Sequence, residues 1–181
     1  NNNTFILFQK GWEGINIDLD KKNIDLFNIA RPNDLNLNLA ISDTEEEVDL
    51  FFYHDSSPIN TLNKNVSDFQ KAKVKEIKKI ETKILNNVLN DLDFKNQIDY
   101  MNIDVEGNED KVLNGFDIKK YKPCVISIEY LDLNMKKLEF KNNDINNILN
   151  SNLYKYFIQN NYHFVNWLHG DLIFIHKDFR D

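Results

Sequence analysis

A continuous apolar run in the second half of the chain constrains the fold most strongly. Residues 123–128 read PCVISI and show no alternation between apolar and charged positions. A strand of this kind is typically buried on both faces, as in a parallel sheet that helices cover on each side. The run therefore predicts an α/β fold.

The rest of the chain alternates short β-rich runs with helical stretches. We predict strands at 14–19, 35–41, 49–54 and 98–103, helices at 21–29, 145–149 and 153–158, and a closing hairpin formed by 162–168 and 171–176. Residues 74–80 fit a strand or a helix, and a helix follows them. This order predicts one open, mostly parallel sheet with an antiparallel C-terminal hairpin strand. The length of 181 residues fits a single domain over 1–181.

Composition excludes several classes of partner. With 29 acidic against 22 basic side chains the net charge is −7, which disfavours a protein that tracks nucleic-acid phosphates. The single cysteine, Cys124, excludes a disulfide framework and is compatible with a reducing compartment. No apolar run approaches the roughly 18 residues that a membrane span needs. We therefore expect a soluble, cytoplasmic protein that does not bind nucleic acid.

Acidic residues follow several predicted strands, at the sheet edge where open α/β folds bind ligands. Asp18 ends the first strand and suits the two hydroxyls of a nucleoside ribose, although a structural role fits its spacing equally well. For Asp20 the capping of the next helix is the better interpretation. Ser42 and Asp43 end the next strand, where a simple turn is favoured over ligand contact.

Asp104, Glu106 and Glu129 follow two strands that we expect to be neighbours. Clustered carboxylates raise the pKa of one member, which makes a base, or else they hold a cation. The alternative interpretation is that Asp104 and Glu106 cap the following helix. The histidines show no metal-ligand spacing, so no metal site is predicted from them; His169, in the hairpin turn, is a minor candidate for a base.

The segments NTFILFQKGWEGINID, RPNDLNLNLAIS, IDYMNIDVEGNEDKVLNGFD and KPCVISIE together resemble the FkbM-type methyltransferases. The central signature is an apolar strand that ends in IDVEG-x-E, followed by a helix that reads VLxG. The resemblance extends over residues 3–129 and more weakly to the closing hairpin.

The resemblance implies a class I Rossmann-like methyltransferase fold and O-methylation with S-adenosyl-L-methionine. Its expected acceptor is a hydroxyl of a sugar, a polysaccharide unit or a natural product. By position, Asp18 matches the acid that holds the cofactor ribose, Ser42 and Asp43 match the adenine-side turn, and Thr4 lies near the amino-acid end of the cofactor. Asp104 and Glu106 match the acids that face the transferred methyl group.

The family's first strand and Gly-rich cofactor loop are expected upstream of Asn3, and the sequence does not contain them. Two rival functions remain open at this stage. One is a non-catalytic binding module that keeps a degenerate methyltransferase fold. The other is an NAD-dependent Rossmann oxidoreductase, in which Asp18 would also bind a ribose; it requires a GxGxxG turn, which is not present.

Overall fold

The computed structural model describes residues 3–70, 72–130, 144–168 and 170–180. The helices are α1 (Phe5–Gln9), α2 (Lys21–Ala30), α3 (Lys64–Phe69), α4 (Leu85–Asp91), α5 (Glu109–Asn114), α6 (Ile118–Tyr121), α7 (Ile145–Asn150) and α8 (Asn152–Gln159). The strands are β1 (Ile15–Asp18), β2 (Leu35–Asn38), β3 (Ala40–Ser42), β4 (Glu47–Phe52), β5 (Glu76–Ile84), β6 (Tyr100–Ile103), β7 (Val125–Glu129), β8 (Tyr162–Leu168) and β9 (Asp171–His176). The elements alternate in the manner of an α/β protein.

The largest sheet has four strands in the order β6-β7-β9-β8. Strand β7 is parallel to β6 and antiparallel to β9, and β8 pairs with β9 in the predicted hairpin. Ile126 and Ile128 of β7 are fully buried beside Phe157 of α8 and Phe174 of β9. The apolar run that predicted a buried strand thus forms the centre of the core.

A second, parallel pair of strands, β1 and β2, lies apart from this sheet in its hydrogen bonding. Ile15 and Ile17 of β1 nevertheless pack against the same core cluster as Ile103 of β6. Among the described residues, β1 and β6 each have a strand partner on one edge only. The two sheets therefore share a core, and β1 and β6 are edge strands within the described part of the chain.

The predicted strand at 35–41 is interrupted in the structure. Leu39 separates β2 from β3, and the Asn38 side chain bonds the carbonyl oxygens of Asp18 and Leu19 at 3.0 Å each. After this break the chain changes partner: β2 pairs with β1, whereas β3 pairs with the end of β5. Alternation in the sequence predicted the strand but not its change of partner.

The expectation of one mostly parallel sheet needs correction. The described strands form three separate sheets, which contain three parallel and three antiparallel strand pairs. The pair that the sequence analysis missed is β4 with β5, which is antiparallel. Strand β5 carries charged residues on its exposed side, and such one-sided strands suit antiparallel pairing.

No helix within the described ranges is both long enough and apolar enough to cross a membrane.

Candidate active site

Strands β6 and β7 bring three carboxylates together. Their register pairs Ile103 with Ile128, so Asp104 and Glu129 follow equivalent positions at the carboxyl ends of neighbouring parallel strands. One oxygen each of Asp104, Glu106 and Glu129 lies within 4.8 Å of the other two. The structure thus brings together the three residues that the sequence analysis placed in one cluster.

An unusual turn after β6 directs Glu106 toward this cluster. Glu106 and Gly107 have φ angles of 54° and 90°, in the left-handed region. Loop residues hold the turn, since the Thr61 hydroxyl donates to the Glu106 carbonyl at 2.7 Å and the Asn63 amide donates to the Gly107 carbonyl at 2.6 Å. A Cβ at Gly107 would overlap Val66, so only glycine fits there.

Glu109 supports the same turn from its other side. Its Oε1 atom accepts hydrogen bonds from the backbone N–H groups of Val105 at 3.0 Å and of Gly107 at 3.2 Å. The N-cap of α5 is Asn108, whose side chain makes no capping hydrogen bond, and the carboxylate that bonds backbone N–H groups at this end of the helix is Glu109. The alternative role for Asp104 and Glu106 as caps of the helix is therefore not supported by their contacts.

Burial and the charges of nearby carboxylates raise the pKa of all three clustered carboxyls; for Asp104 these charges are Asp171 and Asp18. For Glu106 desolvation is the larger cause and the charges of Asp104 and Glu109 add to it, giving a pKa of about 7. Desolvation and the neighbouring carboxylates hold the pKa of Glu129 well above its usual range. Among the described residues, the buried Oε2 atom of Glu129 has no hydrogen-bond partner. The cluster therefore favours a bound proton or another positive charge.

The chemistry of this cluster allows two uses. A carboxyl with a pKa near 7 is suited to accept a proton from a hydroxyl group at neutral pH. Three carboxylate oxygens at this spacing are also ligands of the type that Mg²⁺ and Ca²⁺ prefer.

Sequence reasoning missed Asp171, which borders the cluster. Asp171 begins β9 and pairs in register with Glu129, and its charge contributes to the raised pKa of Asp104 and of Glu129. Its Oδ2 accepts a hydrogen bond from the Asn3 side chain at 3.0 Å. Only the antiparallel register of β7 and β9, which the sequence does not specify, reveals this residue. His169 lies outside the described residues.

Asp18 occupies the carboxyl end of β1, as predicted. Its Oδ1 accepts from the Asp20 backbone N–H at 2.7 Å and its Oδ2 accepts from the Asn23 side chain at 2.9 Å. Burial raises the pKa of Asp18, and these two hydrogen bonds partly offset the increase. Asp20 is the N-cap of α2 and accepts from the Lys22 N–H at 3.0 Å, which confirms its predicted structural role.

Ser42 is the last residue of β3, and Asp43 follows it. The Ser42 hydroxyl donates to Asp43 Oδ1 at 3.2 Å, and Ser42 is buried. Gly115, the last residue of the VLxG signature, lies so close that a Cβ there would come within 2.7 Å of the Ser42 carbonyl oxygen. The glycine thus allows the end of α5 to approach this turn.

Thr4 is connected to the RPND segment rather than to the carboxylates. Its hydroxyl oxygen accepts from the buried Arg31 at 2.7 Å. The Arg31 guanidinium also lies over the rings of Phe8 and Phe27, at 4.9 and 5.1 Å, and 3.8 Å from Asp34. Arg31 therefore joins α1 to α2.

Comparison with known proteins assigns the family. The profile of the methyltransferase FkbM domain matches residues 1–156 of the 181. Neither the curated proteins nor the solved structures include a significant match. The profile covers most of the chain, including β6, β7 and the three clustered carboxylates, and the chain therefore belongs to the FkbM methyltransferase family.

Proposed function

We propose that the protein is an S-adenosyl-L-methionine-dependent O-methyltransferase that acts on a hydroxyl group of a sugar, a polysaccharide unit or a natural product. The observation that carries this proposal is the convergence of Asp104, Glu106 and Glu129 at the ends of β6 and β7. Transfer to an aliphatic hydroxyl requires removal of its proton, and this cluster offers a group for that step.

The proposed architecture is the class I Rossmann-like arrangement in a single domain. In a doubly wound sheet the first strand is central, and the strands on its two sides run outward in opposite directions. Here β1 leads outward to β2, β6 leads outward to β7, and each has one unpaired edge among the described residues. A further parallel strand between β1 and β6, followed by a Gly-rich loop, would complete this order.

The cofactor site in this proposal lies between the ends of β1, β3 and β6. Asp18 fits the ribose because, among the described residues, each of its carboxylate oxygens accepts one hydrogen bond and retains capacity for a second. Ser42 and Asp43 contact the adenine side, and Thr4 lies toward the amino-acid end. When bound, S-adenosyl-L-methionine supplies an electrophilic methyl group on a positively charged sulfur.

The carboxylates act on the acceptor in this scheme. Glu106, whose pKa is about 7, accepts the hydroxyl proton, while Asp104 orients the hydroxyl through a hydrogen bond. Glu129 adds a further negative charge beside the acceptor when it is ionised, and no charge when it is protonated. A divalent cation held by the same oxygens would instead lower the pKa of the hydroxyl. The reaction is assigned to the cytoplasm, where the unpaired Cys124 would stay reduced.

Calorimetric titration of the full encoded protein with S-adenosylhomocysteine and, in parallel, with NAD⁺ tests the cofactor. We expect binding of the former only, and selective binding of NAD⁺ would favour the oxidoreductase alternative. Transfer of a labelled methyl group to a panel of glycosides and polyhydroxylated natural products, with and without EDTA, then tests the reaction. Cofactor binding without transfer to any acceptor would favour a binding module.

A further inference from the structure

The side chain of Asn3 connects two strands of the main sheet. Its Nδ2 atom donates to Asn102 Oδ1 at 2.9 Å and to Asp171 Oδ2 at 3.0 Å. An amide nitrogen carries two hydrogens, so both donors are used. We call the contact of Asn3 with Asn102 and Asp171 the Asn3 clasp.

The strand order locates the clasp. Asn102 belongs to β6 and Asp171 to β9, and β7 lies between these two strands. Asn102 pairs in register with Ser127, and Glu129 pairs with Asp171, so these side chains share one face of the sheet. A nitrogen bonded to the strands on both sides of β7 must lie over the carboxyl end of β7, beside Glu129.

Helix α1 buries little of its apolar surface among the described residues. Its five residues include none that are buried, and Phe5 and Ile6 are 49% and 66% exposed. Leu7 and Phe8 are half-buried, and the Arg31 guanidinium lies over the Phe8 ring, so apolar packing supplies only part of the contact that positions α1. The polar contacts at its start, through Asn3 and through the bond between Thr4 and Arg31, add to it.

We propose that Asn3 and Asp171 are positioning residues, which hold the start of α1, and with it Thr4, against the carboxylate end of the main sheet. The expected effect on cofactor binding rests on the proposed function, in which Thr4 borders the amino-acid end of the cofactor. In this role Asp171 acts through Asn3 as a hydrogen-bond acceptor, separately from the effect of its charge on the neighbouring carboxyls.

Four variants separate these contributions: Asp171→Ala, Asn3→Ala, the double variant, and Asp171→Asn. Asp171→Asn keeps an acceptor oxygen for Asn3. Like Asp171→Ala, it removes the negative charge. Asp99→Ala is the matched control. Asp99 is an exposed carboxylate just before the amino end of β6, at the opposite end of the strand from the three clustered carboxylates.

The first measurement is the Kd for S-adenosylhomocysteine, together with the melting temperature. We expect each alanine variant to bind about three- to tenfold more weakly, and the double variant to bind no more weakly than either. Asp171→Asn should recover binding to within about twofold of the parent. Parental affinity in Asp171→Ala, or equal loss in Asp171→Asn, would overturn the proposal.

The second measurement needs no ligand. The Phe8 amide donates to the Thr4 carbonyl at 3.0 Å, so its solvent-exchange rate, measured by NMR, reports the order of α1. It should rise in both alanine variants and not in Asp171→Asn or Asp99→Ala. If the parent protein fails to bind S-adenosylhomocysteine, the proposed function fails, but the exchange rate of the Phe8 amide still tests whether the Asn3 clasp holds α1. An unchanged rate in the alanine variants would overturn the clasp.

Discussion

Asp18 and the cluster of Asp104, Glu106 and Glu129 lie at different strand ends, and they differ in the hydrogen bonds that the protein itself supplies to their oxygens. Both oxygens of Asp18, the last residue of β1, accept a hydrogen bond from nearby residues. Glu129, the last residue of β7, has one buried oxygen with no partner among the described residues, and its neighbours are other carboxylates. Asp18 is therefore oriented before any ligand arrives, whereas the carboxylates around Glu129 favour a bound proton or another positive charge.

This difference supports the different tasks that we propose for Asp18 and for the three clustered carboxylates. A pre-oriented carboxylate costs little to use for binding, because its geometry is already fixed. A group whose pKa is raised by burial and repulsion is typical of sites that carry out proton transfer. The comparison predicts binding defects from changes at Asp18 and turnover defects from changes at Asp104 and Glu106.

The largest effect is expected on turnover. Asp104→Asn and Glu106→Gln are nearly isosteric changes, and each should reduce methyl transfer by about a hundredfold or more because a proton acceptor or cation ligand is lost. The assay is single-turnover methyl transfer at saturating cofactor, paired with thermal melting. Asp110→Asn, in the first turn of α5, is the control for loss of a nearby charge. Normal activity with a lowered melting temperature would instead indicate a structural role.

Loss of the Asp18 carboxylate should affect binding. Asp18→Ala removes an acceptor for the ribose hydroxyls and should weaken S-adenosylhomocysteine binding by about 1.5–3 kcal/mol, the range for a hydrogen bond to a charged group. Calorimetry on this variant and on Asp25→Ala, which lies on the exposed side of α2 in a surface ion pair, provides the measurement. The same dissociation constant in Asp18→Ala and in the parent protein would refute a ribose contact.

The two groups should also differ in how they affect stability at high pH. Because the pKa of Glu129 is raised on folding, the native state retains a proton that the unfolded chain releases above about pH 4.5, so stability falls as pH rises from there toward the folded pKa. Glu129→Gln removes this penalty and should raise the free energy of unfolding at pH 9 by about 1–3 kcal/mol, but not at pH 4.5.

Asp18→Asn separates the loss of a charge from the loss of a hydrogen bond. Burial also raises the pKa of Asp18, so its ionisation likewise lowers stability at high pH. An amide cannot accept from both the Asp20 N–H and the Asn23 side chain, however, so we expect net destabilisation at pH 9. Urea unfolding of both variants at a series of pH values makes the comparison. Stabilisation that is independent of pH in Glu129→Gln would show that repulsion among the carboxylates is not its source.

Local sequence patterns predicted much of the fold. The hairpin strands were predicted at 162–168 and 171–176, as the structure has them, because alternation and a turn signal lie close together in sequence. The neighbouring positions of β6 and β7, and with them the meeting of Asp104 and Glu129, followed from strand-helix-strand order. These predictions depend only on nearby residues or on general topology.

Contacts between distant segments were not predictable in the same way. Asp171 faces Glu129 through an antiparallel register, and Thr61 and Asn63 hold the Glu106 turn from a loop more than 40 residues earlier. The antiparallel pairing of β4 with β5 was missed because alternation reports a strand but not its partner. Side chains that act across such distances become visible only once the chain is folded.

The smallest expected effect sharpens the contrast between Asp18 and Asp20, two acids in one short segment. Asp20 caps α2 through the Lys22 N–H and also accepts from the Ser56 N–H at 2.6 Å, so its carboxylate joins the helix to a distant loop. Asp20→Ala should therefore cost about 1 kcal/mol of stability, or roughly 2–4 °C in melting temperature, with cofactor affinity unchanged. Asp20→Asn, which keeps one acceptor oxygen for the cap, should lose less. Melting curves and S-adenosylhomocysteine titrations of both variants provide the test. Weakened binding in Asp20→Ala at an unchanged melting temperature would place Asp20, and not only Asp18, in the cofactor site.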